Sequence, residues 1–168
     1  SVIGSNISSR SKRRRPNNLD QQVAFFAALF ACLAKIAKAD GRVDEAEIKK
    51  IEEIISSKLN LNKEHRNFAI NIFQKAKDDN VSFEAYASNL YQVLSLSPNS
   101  LLVFYEMLFE LALADGILHP NEDALLKKIP RIFRFDEKVY KSLYEKFVEK
   151  TNDYFKTLGV DENASFSE

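Results

Sequence analysis

An internal repeat constrains this chain more than any other feature. Shifted by 75 positions, residues 26–54 lie on residues 101–129, and Leu33, Ala37, Ala39, Asp40, Gly41, Glu47 and Ile54 fall on Leu108, Ala112, Ala114, Asp115, Gly116, Glu122 and Ile129. Seven identities in 29 positions, three of them the contiguous Ala-Asp-Gly, exceed coincidence. With one residue deleted the match continues, placing Asn62 on Asp136 and Phe73 on Phe147. Each half therefore reads helix, Ala-Asp-Gly turn, helix, capped turn, helix. Neither half can bury its apolar helix alone, so the two are expected to pack as a pseudo-twofold bundle with the first and fifth helices at its centre.

Apolar spacing and capping residues divide the chain into seven helices. The first, over about 20–39, is apolar nearly all round (Phe25, Phe26, Leu29, Phe30, Leu33, Ile36), as a central helix must be. The second, over 45–58, carries Ile48, Ile51, Ile54 and Ile55 behind Asp44, and the third, over 63–77, follows Asn62 with Phe68, Ile72 and Phe73. Ser82 starts the fourth over 83–95, and Ser97 with Pro98 starts the fifth over 98–114. A sixth begins near Pro120 and kinks or ends early at Pro130; a seventh, over 137–150, follows Asp136. No alternating strand pattern of useful length occurs. The expected fold class is all-α, a seven-helix bundle built from two pseudo-symmetric repeats.

Composition agrees and excludes several functions. Four Gly and four Pro among 168 residues are few, and 45% apolar residues with 13 Phe suffice for a core. Net charge is zero, but Arg10, Lys12, Arg13, Arg14 and Arg15 are unopposed in the first 19 residues. Removing these five from the 24 Lys and Arg leaves 19 bases against 24 acids, a body of net charge −5. Residues 1–18 thus read as a disordered basic tail, and the folded body is not a nucleic-acid binder. The longest uncharged apolar run, 23–34, is far short of the ~20 residues that span a bilayer. Cys32 is alone in that run and reads as a small core residue. With two His, this one Cys and no Gly-rich phosphate loop, no nucleophile and base pair stands out, and the chain is not expected to be an enzyme.

Asp40, Glu47, Asp115 and Glu122 are the polar residues that both repeats share at matching positions. Each aspartate ends a central helix before a glycine, and each glutamate lies on the first turn of the helix that returns. Pseudo-symmetry can bring all four together, and hard carboxylate oxygens in such a group suit calcium, magnesium or manganese. The structural alternative is capping, because Asp44 with Glu47 forms a capping box and Ala-Asp-Gly is an ordinary helix stop. An EF-hand is excluded, since one carboxylate precedes the glycine and the 12-residue ligand ladder is missing. Phe133 and Phe135 read as core, with an exposed docking patch as the alternative.

The segments Lys38-Ala39-Asp40-Gly41-Arg42-Val43 with Glu47, and Ala114-Asp115-Gly116-Ile117-Leu118-His119-Pro120-Asn121-Glu122, resemble the two half-motifs of the TerB-like (tellurite-resistance) domain across about residues 20–150. That resemblance implies an acidic, cation-binding site at the four shared acids. Asp153-Tyr154-Phe155-Lys156-Thr157-Leu158-Gly159-Val160, with Ala164-Ser165, resembles the opening of a J domain. His119-Pro120-Asn121 ends in Asn and starts a helix, so it is not the His-Pro-Asp loop of such a domain.

Together with the basic tail, these features resemble the DjlA family of membrane-anchored co-chaperones. The resemblance implies a short N-terminal transmembrane anchor, a cytoplasmic TerB-like domain, and a C-terminal J domain that stimulates the ATPase of DnaK-type chaperones. The expected organisation is a basic tail over 1–18, a TerB-like domain over 19–150, and a linker with the truncated start of a J domain over 151–168. The chain is then a soluble fragment of a protein at the cytoplasmic face of the inner membrane. It is expected to act as a non-catalytic interaction module for an unknown client or partner; a homodimer stays open. The alternative is a divalent-cation or metal-stress module.

Overall fold

The computed structural model describes residues 18–150 except Asp40, Arg42 and Asp44. The basic segment 1–17, the J-like segment 151–168, Asp40 and the expected cap Asp44 lie outside the described residues. All regular structure among the described residues is helical: α1 Asn18–Lys38, α2 Glu45–Glu53, α3 Lys63–Asp78, α4 Phe83–Leu94, α5 Pro98–Ala112, α6 Pro120–Leu126, α7 Ile129–Phe133 and α8 Lys138–Tyr144. A π-helical turn, Ile54–Lys58, prolongs α2, and another, Glu145–Glu149, prolongs α8. Since α6 and α7 are the two parts of one interrupted helix, these segments make up the expected seven-helix bundle.

The centre is built from α1 and α5, which pack on each other and take most of the core. Leu29, Phe30, Leu33 and Ile36 of α1, and Phe104, Tyr105, Leu108 and Phe109 of α5, are fully buried. Helices α3 and α4 pack on α1, α2 crosses to α5, and α6 touches both central helices. No described helix is long and apolar enough to cross a membrane.

Side-chain caps set the starts of α3 and α4. The Asn62 side chain accepts from His65 N at 2.8 Å, and Ser82 Oγ accepts from Ala85 N at 3.1 Å, as their residue types predict. Ser97 makes no cap bond; Pro98 fixes the first turn of α5 instead, and the Ser97 hydroxyl lies 2.7 Å from that of Ser100.

Two local readings need correction. Ile48 does not face the core, being 51% exposed. The buried line of α2 runs through 47, 51, 54 and 55, so Glu47 takes the inner position and Ile48, about 100° further round, faces water. Phe68 is likewise on the surface, while Phe73 is buried. Phe133 and Phe135 meet edge to face at 5.9 Å, with Phe133 buried, so they serve the core.

Pro130 interrupts the sixth helix earlier than its own position. Lacking an N–H, it cannot bond the Leu126 carbonyl four residues back, and the α-helix stops at Leu126. The buried Tyr105 hydroxyl donates to that carbonyl at 2.7 Å. In the first repeat Phe30 stands where Tyr105 does and Ile55 where Pro130 does, so hydroxyl and proline occur together.

Candidate functional site

The ends of the two central helices have the same backbone geometry. Ala39 N donates to Ile36 O at 3.1 Å and Gly41 N to Lys38 O at 2.8 Å; 75 residues later Ala114 N donates to Leu111 O at 3.0 Å and Gly116 N to Leu113 O at 2.9 Å. Gly41 and Gly116 have φ of 93° and 85°, a left-handed conformation that glycine adopts without a Cβ penalty. The Ala-Asp-Gly repeat is thus a repeated turn, and each turn hands the chain to a helix carrying a glutamate.

Those glutamates are the buried charged side chains among the described residues: Glu47 is 5% exposed and Glu122 1%. Glu122 Oε1 accepts from His119 N at 3.2 Å, the returning half of a capping box at the start of α6. Asp115 Oδ1 accepts from Ile117 N at 3.0 Å, and Oδ2 lies 2.7 Å from His119 Nε2. In the second repeat, therefore, both acids hold the turn between α5 and α6. Asp40, the fourth candidate, lies outside the described residues. Among the described residues no group of three or more His, Cys, Asp or Glu is placed to hold a metal ion.

A second polar cluster escapes a reading by motif. Lys35 Nζ lies 2.8 Å from Asp79 Oδ1 and donates to the Asp79 carbonyl at 2.9 Å, tying α1 to the end of α3. Tyr86 of α4 donates to the other carboxylate oxygen, and Val81 N donates to Oδ1 at 3.0 Å. Burial raises the Asp79 carboxyl, but the bonds from Lys35, Tyr86 and Val81 outweigh it and hold the group below the usual carboxylate range. The Tyr86 phenol is pushed up to about 12, by burial first and by its bond to Asp79 second. At the other end, Tyr140 donates to Asp123, whose second oxygen pairs with Lys127 at 3.1 Å. Burial likewise pushes up the Cys32 thiol, which stays neutral in the core.

These clusters join helices to one another, and none pairs a nucleophile with a base. The geometry is that of a helical scaffold whose two repeated turns each lead into a helix with a buried glutamate. A family model described as tellurite resistance protein TerB matches residues 26–144, spanning both turns. The chain belongs to the TerB family. This TerB domain is 36% identical over 124 residues to the co-chaperone protein DjlA of Photobacterium profundum, covering 74% of this chain and 44% of that protein. Against the DjlA of Coxiella burnetii it is 29% identical over 176 residues, covering 94% of this chain and 64% of the other. Against that of Escherichia coli K12 it is 34% identical over 110 residues, with coverage of 66% and 40%. The chain thus spans less than two thirds of the length of these relatives. The similarities support a TerB-like domain of a DjlA-family protein. No solved structure matches.

Proposed function

We propose that this TerB domain is the non-catalytic interaction module of a longer co-chaperone, holding a partner or client near a J domain that engages a DnaK-type chaperone at the cytoplasmic face of the inner membrane. The observation that carries the reading is the similarity to the Coxiella burnetii DjlA. It covers 94% of this chain and so runs past the helical domain into the segment with Tyr154, Phe155 and Leu158. The unopposed bases Arg10 to Arg15 support a membrane-flanking position, because Lys and Arg accumulate on the cytoplasmic side of an anchor. Fractionation of the longer protein tests the placement. It should sediment with inner membrane, and protease should reach the TerB domain only from the cytoplasmic side; recovery in the soluble fraction contradicts the reading.

The burial of Glu47 and Glu122 at equivalent positions favours one second reading, in which Asp40, Glu47, Asp115 and Glu122 bind calcium, magnesium or manganese. Against it stand the bonds that already occupy Asp115 and Glu122. A thermal melt in each ion separates the two readings.

A further inference from the structure

The last helix among the described residues runs out beside a groove. This groove of 460 Å³ lies between α2, α5 and the π turn that prolongs α8; Ala46, Leu113, Ala114 and Phe147 form its apolar part, and Lys49, Lys50, Glu53 and Glu110 its charged part, with Glu110 paired to Lys58. Lys50 is paired with Glu53 at 3.3 Å. Lys49 has no ion pair with any described residue and is exposed.

The chain after Lys150 has what this groove lacks. Tyr154, Phe155 and Leu158 fall at i, i+1 and i+4, the spacing of one helix face, and Asp153 precedes them. Three residues of extended chain reach about 10 Å, roughly two helical turns, enough to bring Tyr154 back over Phe147. Segment 151–168 holds Asp153, Asp161, Glu162 and Glu168 against Lys156, so it is net acidic, and the groove's charged lining includes a lysine that has no ion pair with a described residue.

We propose that residues 153–158 seat their apolar face in this groove of the same chain, with Asp153 toward Lys49. The seating is a property of this chain alone. Its consequence, that the start of the J-like segment is clamped to the TerB domain so that whatever follows has a fixed position, rests on the function proposed above. A failure of the seating leaves the co-chaperone reading intact, and a failure of that reading leaves the seating measurable.

Amide hydrogen exchange of the full 168-residue chain, followed residue by residue at low protein concentration, tests it. Amides of 154–158 should exchange at least about tenfold more slowly than in a free chain. In Tyr154→Ser/Leu158→Ser they should return to free-chain rates, while Leu108 and Phe109 stay slow and report an intact core. Lys49→Glu should speed the 154–158 amides about two- to fivefold, the scale of one exposed ion pair, and adding Asp153→Lys should restore them. Free-chain rates in the wild type overturn the proposal. So does protection that rises with protein concentration, which marks a second copy as the occupant, or protection indifferent to Lys49→Glu, which marks another groove.

Discussion

The hydroxyl of Tyr105, on the central helix α5, donates to the carbonyl of Leu126 at 2.7 Å, and that carbonyl is the one Pro130 leaves without its helical donor. Burial of Tyr105 makes this bond a condition of the break between α6 and α7, since an unsatisfied buried carbonyl costs about 1–3 kcal/mol. Neighbouring Tyr140 and Asp123 add to burial in pushing the Tyr105 phenol up, so it keeps its proton to donate.

Tyr105→Phe should therefore destabilise the domain by about 1–3 kcal/mol in urea unfolding, although it only makes the position match Phe30 of the first repeat. In a Pro130→Ala background the loss should shrink, because the alanine has an N–H to offer the Leu126 carbonyl. A coupling of at least about 0.5 kcal/mol in this double-mutant cycle is expected; strict additivity contradicts the relationship.

Asp79 gives the domain an acid-side dependence. Its folded carboxyl titrates below the unfolded value of about 3.9, so its contribution is present above pH 4 and is lost as pH falls through the lower folded value. Asp79→Asn should cost about 1 kcal/mol near neutral pH, a modest figure because the carboxylate is partly exposed, and the difference from wild type should close as pH falls through the lowered folded value. The partner shows the opposite limit. Tyr86, raised to about 12, loses its contribution as pH climbs from about 10 toward that value. Unfolding midpoints across pH for wild type, Asp79→Asn and Tyr86→Phe check both signs.

Much of this fold is legible in the sequence, because its determinants are local. Asn62 and Ser82 cap helices as their residue types predict, the glycines of both Ala-Asp-Gly turns take positive φ, and the apolar runs of α1 and α5 are buried. Ile48 misleads because a set of 48, 51, 54 and 55 is nearly as periodic as 47, 51, 54 and 55, and hydropathy alone favours isoleucine over glutamate inside. Lys35 and Asp79 are 44 positions apart, and no spacing rule joins a mid-helix lysine to the end of a later helix. The Tyr105 and Pro130 pair did leave a signal, visible when the repeats are laid on each other: the half with the proline also has the hydroxyl.

The buried glutamates separate capping from cation binding. If they are caps, Glu122→Gln should change stability by less than about 0.5 kcal/mol, since Gln also serves a capping box, and millimolar calcium, magnesium or manganese should leave the melt unmoved. A bound ion at a hundredfold excess over its Kd would add about 2.7 kcal/mol, and that gain would vanish in Asp40→Asn/Asp115→Asn. A rise in Tm with any one ion, lost in the double variant, would establish the second reading.

Single-turnover ATP hydrolysis by a DnaK-type chaperone tests the proposed role most directly. The 168-residue chain should leave the rate at its basal value, because its His119-Pro120-Asn121 is committed to the start of α6, whereas a longer chain carrying a J domain should raise it. Removing the TerB domain from that longer chain should leave the stimulation in place. Stimulation by the 168-residue chain alone, abolished by His119→Ala, would contradict a non-catalytic interaction module.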